Sequence, residues 1–128
     1  MITGINLAEV KEYISKYDKG EPKTTWLLGS LDSEMFDVLG EGANSLKQIS
    51  DVVRLGLRGF KGFRSADGQD IPFVRVEEVI GGRRYLVVTD EIMRIIPPMV
   101  KAELGSEILK MSKISEDEAK KRFIEGNQ

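Results

Sequence analysis

Gly81 and Gly82 separate two runs rich in β-branched and aliphatic residues, 73–80 and 83–88, and no other feature restricts the fold as strongly. A two-residue Gly-Gly loop supplies the positive φ angles that type I′ and II′ turns require, so the spacing predicts an antiparallel β-hairpin. Pro72 cannot donate to a ladder and is expected at the start or edge of the first strand. Ala66-Asp67-Gly68-Gln69 reads as a turn leading into it.

Helical signals surround the hairpin. Asn6 is placed to cap a helix carrying Leu7, Val10, Ile14 and Tyr17 on one stripe, with Gly20 to end it and Pro22 beyond. Residues 24–28, Thr-Thr-Trp-Leu-Leu, read as a short strand closed by Gly29. Ser30 to Glu34 offers a cap before Met35, Phe36, Val38 and Leu39, one or two turns that stop at Gly40. Residues 40–43 look like a joint, after which Asn44 or Ser45 caps a helix with Leu46, Ile49, Val52 and Val53 on one face. That helix is expected to end near Gly56 or Gly59, because each glycine costs a helix about 1 kcal/mol relative to alanine. Thr89 caps a short helix ended by Pro97-Pro98, and Pro98 opens another with Val100, Leu104, Ile108 and Met111 in a stripe. Ser115-Glu116-Asp117-Glu118 has the form of a capping box for a last helix closed by Gly126.

Together these signals predict the α+β class: a single small domain over 1–112, with a central β-hairpin or antiparallel sheet flanked by short helices. A separate helical segment over 113–128, charge-mixed and thin in apolar residues, is expected to be available for docking on a partner. At 128 residues the chain can bury a real core but cannot hold two enzyme-sized lobes.

Function is bounded first by what is absent. The chain has no histidine and no cysteine, so imidazole bases, thiolate nucleophiles, disulfides and every His- or Cys-bearing metal site are ruled out. Carboxylate pairs remain at Glu77-Glu78, Asp32/Glu34, Asp67/Asp70 and Glu116-Asp117-Glu118. Each has a simpler reading: opposite faces of a strand, a cap, a turn, a helix N-terminus. No catalytic set, cofactor or metal is predicted. The 19 basic and 21 acidic residues nearly cancel, which does not indicate a strongly basic nucleic-acid binder. No apolar run approaches the roughly 20 residues needed to span a bilayer, and residues 1–5 lack the features of a signal peptide, so a cytoplasmic protein is expected.

One local patch stands out. Residues 54–64, Arg-Leu-Gly-Leu-Arg-Gly-Phe-Lys-Gly-Phe-Arg, hold four cations and two phenylalanines, with no acid between Asp51 and Asp67. Cations interleaved with aromatics can hold a single strand by phosphate neutralisation and stacking. The same pattern suits core phenylalanines with cations reaching to solvent, or a protein-binding edge. The candidate partner-binding residues are therefore Trp26, Arg58, Phe60, Lys61, Phe63, Arg64, Gly81, Gly82 and Tyr85, the glycines as a projecting tip and Trp26 and Tyr85 as aromatic anchors.

Several stretches taken together resemble small proteins encoded in the morphogenesis regions of tailed bacteriophages. They are residues 6–24 with Trp26 and Leu31-Asp32-Ser33, then residues 56–63 with Asp67-Gly68 and Ile71-Pro72-Phe73, and finally Ile95-Ile96-Pro97-Pro98, residues 107–110 and residues 115–120. The resemblance implies a non-enzymatic protein that works by contacts with other phage structural or assembly proteins, such as a tail assembly chaperone. Head-to-tail connectors and small virion joints belong to the same neighbourhoods, and the motifs leave these alternatives open, as they do self-association. The place of action so implied is the host cytoplasm during assembly, with residence in the virion as the alternative. No catalytic residue is carried over, and a nucleic-acid accessory role through residues 54–64 stays as a second alternative.

Overall fold

Two antiparallel sheets and four helices make up the α+β fold of this computed structural model, which describes residues 4–40 and 46–126. The first sheet has the order β1 (Lys11–Tyr13), β2 (Thr25–Leu28), β3 (Leu57–Lys61). The second is the hairpin of β4 (Arg75–Ile80) and β5 (Arg83–Val88). Around them lie α1 (Ser33–Met35), which continues as a π-helical turn over Phe36–Gly40, then α2 (Leu46–Gly56), α3 (Asp90–Ile95) and α4 (Pro98–Gly126).

The turn and cap chemistry acts where it is expected. Gly81 and Gly82 both have positive φ, 59° and 82°, and set the register that pairs Ile80 with Arg83 and Arg75 with Val88. The ladder begins at Arg75 rather than Phe73; Val74 instead accepts a hydrogen bond from the Thr89 amide at 3.3 Å. Thr89 caps α3 by accepting from the Ile92 amide, and Asp32 caps α1 by accepting from the Met35 amide at 2.8 Å. α2 stops at Gly56 and the chain enters β3 at once, a strand hidden in the glycine-rich run. Of the joint expected over 40–43, Gly40 closes the π-helical turn, while 41–43 and the cap at Asn44 or Ser45 lie outside the described residues.

Two helix expectations fail. Residues 6–20 form no helix: Leu7, Val10, Ile14 and Tyr17 are 42–51% exposed, and β1 pairs with β2 through Lys11 to Leu28 and Tyr13 to Trp26. A three-turn helix is marginal alone, and here local side-chain bonds support turns instead. Asn6 accepts from the Ala8 amide at 3.0 Å, and the Asp18 carboxylate accepts from the amides of Gly20 at 3.0 Å and Thr24 at 2.7 Å. Those two amides hold the Asp18 pKa below its ordinary value. At the other end, residues 115–118 open no new helix, because α4 runs unbroken from Pro98 to Gly126. No glycine or proline stands between Gly105 and Gly126 to stop it.

The core lies where α2 and α4 cross behind the sheets. Leu28, Leu57, Val52, Val53, Leu104 and Ile108 are fully buried there. The helices approach closely because a Cβ at Gly105 would fall 2.7 Å from Ile49 Cγ2, and one at Gly56 would fall 2.5 Å from Ile108 Cγ2. Ser112, also buried, donates to the Ile108 carbonyl and accepts from the Leu31 amide, both at 2.9 Å, tying α4 to the loop after β2.

Glu103 on α4 does the same for the N-terminal segment. Its Oε2 accepts from the Tyr13 hydroxyl at 2.8 Å and from the Lys16 amide at 3.0 Å. Burial opposes its ionisation, but the Ser15 hydroxyl, the Lys16 amide and Tyr13 outweigh it and hold the pKa below 4.5. Burial, then the bond to Glu103, pushes Tyr13 up to about 12. A depressed carboxyl stabilises the fold above its unfolded pKa and ceases to do so as pH falls through the folded value. Glu103→Ala is therefore expected to cost about 1–3 kcal/mol at neutral pH. In thermal melts the gap between variant and wild type narrows as the pH drops below 4.5; a gap constant down to pH 3 would contradict the assignment.

Candidate functional site

Helix α2 ends at Gly56 and β3 starts beside the end of β2, where the Gly29 amide donates to the Gly56 carbonyl at 2.8 Å. This junction sets Arg58 under the loop that follows β2. Its guanidinium donates to the Ser30 carbonyl at 3.0 Å and to the Leu55 carbonyl. A Cβ at residue 29 would fall 2.5 Å from Arg58 Nε, so only glycine leaves room for the side chain. Burial lowers the Arg58 pKa, and the nearby Arg75 charge adds to the effect.

Above Arg58 stands the hairpin. Its register puts Arg75, Arg84 and Leu86 on one face, since Arg75 pairs with Val88, Arg84 with Val79 and Leu86 with Glu77. Between this face and the loop Ser30–Asp32 runs a groove of about 320 Å³. Leu7, Leu31, Leu55, Leu86 and Met35 provide most of its apolar wall, while Arg58, Arg75 and Arg84 all border it. Tyr85, which alternation sends to the opposite face, also lines the groove, so the groove wraps the β5 edge.

The charge there is one-sided. Asp32 is the one carboxylate in the lining, and it is engaged in capping α1. Arg84 meets Glu77 at 4.0 Å with both side chains well exposed, a pair worth little. Arg75 lies over the Phe73 ring at 5.9 Å and pairs with no carboxylate among the described residues. The Tyr85 hydroxyl is buried facing the Asp32 carboxylate. Burial raises its pKa, and the carboxylates of Asp32 and Glu34 add to the rise.

The other sequence candidates are dispersed. Trp26, Phe60 and Phe63 meet, together with Phe73, in an aromatic cluster with ring centroids 4.9–5.8 Å apart. Trp26 is only 3% exposed, so this cluster packs inward. Lys61 lies 3.8 Å from Glu12 and Arg64 lies 3.1 Å from Asp70. Arg54 reaches Glu78 and Asp90, both at 3.3 Å. Three of the four cations in 54–64 thus face acids, while Arg58, at the register shift of β3, is drawn to the carbonyls of Ser30 and Leu55, so they form no common basic surface. Gly81 and Gly82 form an exposed tip with open space around them. Only Arg58 and Tyr85 of the candidates come together in the groove. Arg75 and Arg84 join them there, carried on one face by the two-residue turn, a signal the sequence contains in the spacing of the two strands about Gly81 and Gly82.

Of the other acids singled out in the sequence, Asp67 accepts from the Ser65 hydroxyl in a turn, Glu77 lies 4.0 Å from Arg84 and Glu78 lies 3.3 Å from Arg54, while the side chains of 116–118 lie outside what is described. No three His, Cys, Asp or Glu among the described residues are grouped to hold a metal ion, and no described helix is long and apolar enough to cross a membrane. No protein-family model matches the chain, and no curated protein or solved structure matches it.

Proposed function

We propose that this chain is a non-enzymatic bacteriophage morphogenesis protein that acts through protein-protein contacts, as a tail assembly chaperone does, in the host cytoplasm during particle assembly. The observation that carries the reading is the uncovered apolar side chains of the hairpin: Val79 and Leu86 are 67% and 48% exposed on one face of the two-stranded ribbon, and Val76 is 47% exposed on the other. Apolar side chains left open beside one another on one face of a ribbon, as Val79 and Leu86 are, suit a contact with another protein. The resemblance to phage morphogenesis proteins supplies the kind of partner. Acids beside Arg54, Lys61 and Arg64 weaken the nucleic-acid alternative.

Co-expression with the products of neighbouring genes, followed by affinity purification of the tagged chain, tests the reading. A stoichiometric complex with a phage structural protein is expected, and its absence from mature particles by mass spectrometry marks a chaperone. Stoichiometric recovery in mature particles would replace the chaperone with a permanent virion component. Salt-sensitive capture of single-stranded DNA without any protein partner would overturn the reading.

A further inference from the structure

We infer that the groove under the β5 edge receives an acidic-apolar segment of a partner protein, an extended stretch in which a carboxylate side chain alternates with apolar ones. This deepens the protein-binding reading and rests on it.

Three observations lead there. First, Arg58, Arg75 and Arg84 border one groove against a single carboxylate that is already engaged in a helix cap. Arg58 uses two of its five N–H donors on carbonyls, and Arg75 meets no acid among the described residues, so donors remain for an incoming anion. A guanidinium fork matches a carboxylate in two-point geometry, which supplies direction as well as attraction. Second, five of the eleven lining residues are leucine or methionine, which suits an anion carried on an apolar body better than a bare, strongly hydrated phosphate. Its volume of about 320 Å³ lies at the lower end of the roughly 300–1,000 Å³ typical of ligand sites, the size for a short motif rather than a folded domain. Third, among the described residues β5 pairs only with β4, so its outer edge offers free backbone groups along the groove, and an extended segment can add to that edge.

The test uses the full chain, labelled with ¹⁵N, and an N-acetylated, C-amidated peptide of sequence Gly-Leu-Asp-Leu-Glu-Leu-Gly. Its control has Asn and Gln in place of the acids. Binding of the acidic peptide is expected to shift the amides of Arg84, Tyr85 and Leu86 and the Nε–H signals of Arg58 and Arg75. R75Q/R84Q is expected to weaken it at least tenfold while the remaining spectrum confirms the fold. Leu86→Ser, which leaves the charge unchanged, is expected to weaken both peptides. Raising the salt from 50 to 200 mM is expected to weaken the acidic peptide severalfold. Equal binding of the neutral peptide, indifference to R75Q/R84Q, or no shifts at millimolar peptide would overturn the inference; so would displacement of the peptide by an oligothymidylate at lower concentration. Affinity purification separates this failure from that of the function: a variant R75Q/R84Q that still captures the partner removes the groove and leaves the protein-binding reading standing.

Discussion

Trp26→Ala is expected to lower the stability of the fold by about 3–5 kcal/mol, the usual cost of deleting a buried indole. For a chain of this length that corresponds to a fall in Tm of roughly 10–20 °C. Trp26 sits in the middle strand of the first sheet and is paired on both sides, with Tyr13 and with Phe60. Its ring meets Phe60 at 5.8 Å, nearly perpendicular, and Phe63 at 4.9 Å. Removing it opens a cavity that two neighbouring phenylalanines cannot both fill, because each is held by its own contact, Phe60 to Phe73 at 5.2 Å and Phe63 to Phe60 at 5.1 Å. Denaturant unfolding followed by circular dichroism measures the loss. A cost under 1 kcal/mol would mean that the indole is a surface anchor rather than a core residue. Trp26→Phe keeps most of the volume and is expected to recover more than half of the loss.

The second large effect concerns the crossing of α2 and α4. Ile108→Ala is expected to cost about 2–5 kcal/mol, since the side chain is fully buried. Gly56→Ala is expected to cost about 1–3 kcal/mol, because the added Cβ would lie 2.5–2.9 Å from three carbons of Ile108. The gain in helix propensity, at most about 1 kcal/mol, does not offset that overlap. The two changes act on the same space. In the double variant the alanine methyl at 56 occupies part of what Ile108 has vacated, so the double substitution costs at least 1 kcal/mol less than the sum of the singles. Simple additivity in urea unfolding would show that the helices separate and no longer meet at this point.

The readable parts of the fold are those decided within a few residues. The Gly81–Gly82 turn, the Thr89 cap, the Pro98 helix start and the Gly56 stop depend on φ preferences and on side chains reaching their own backbone, so the sequence displays them directly. The N-terminal segment misleads for a physical reason. Its stripe of Leu7, Val10, Ile14 and Tyr17 has helical spacing, yet that row stays exposed while Tyr13, outside the stripe, bonds to Glu103 ninety residues away. β3 was hidden because glycine at every third position argues against a helix without arguing for a strand. It becomes one by pairing with β2, where Trp26 faces Phe60.

The candidate groove divides in the same way. The sequence alone determined the hairpin and its register, and with them that Arg75, Arg84 and Leu86 share a face, because a two-residue glycine turn leaves the strands no other alignment. It also determined the want of any imidazole or thiol chemistry. Only the tertiary structure decided that Arg58 comes under that face, that Arg54, Lys61 and Arg64 turn away toward acids, and that the phenylalanines between them pack inward. Those outcomes depend on which distant surfaces meet, through the burial of apolar area, and such burial has no direction along the chain from which it could be read.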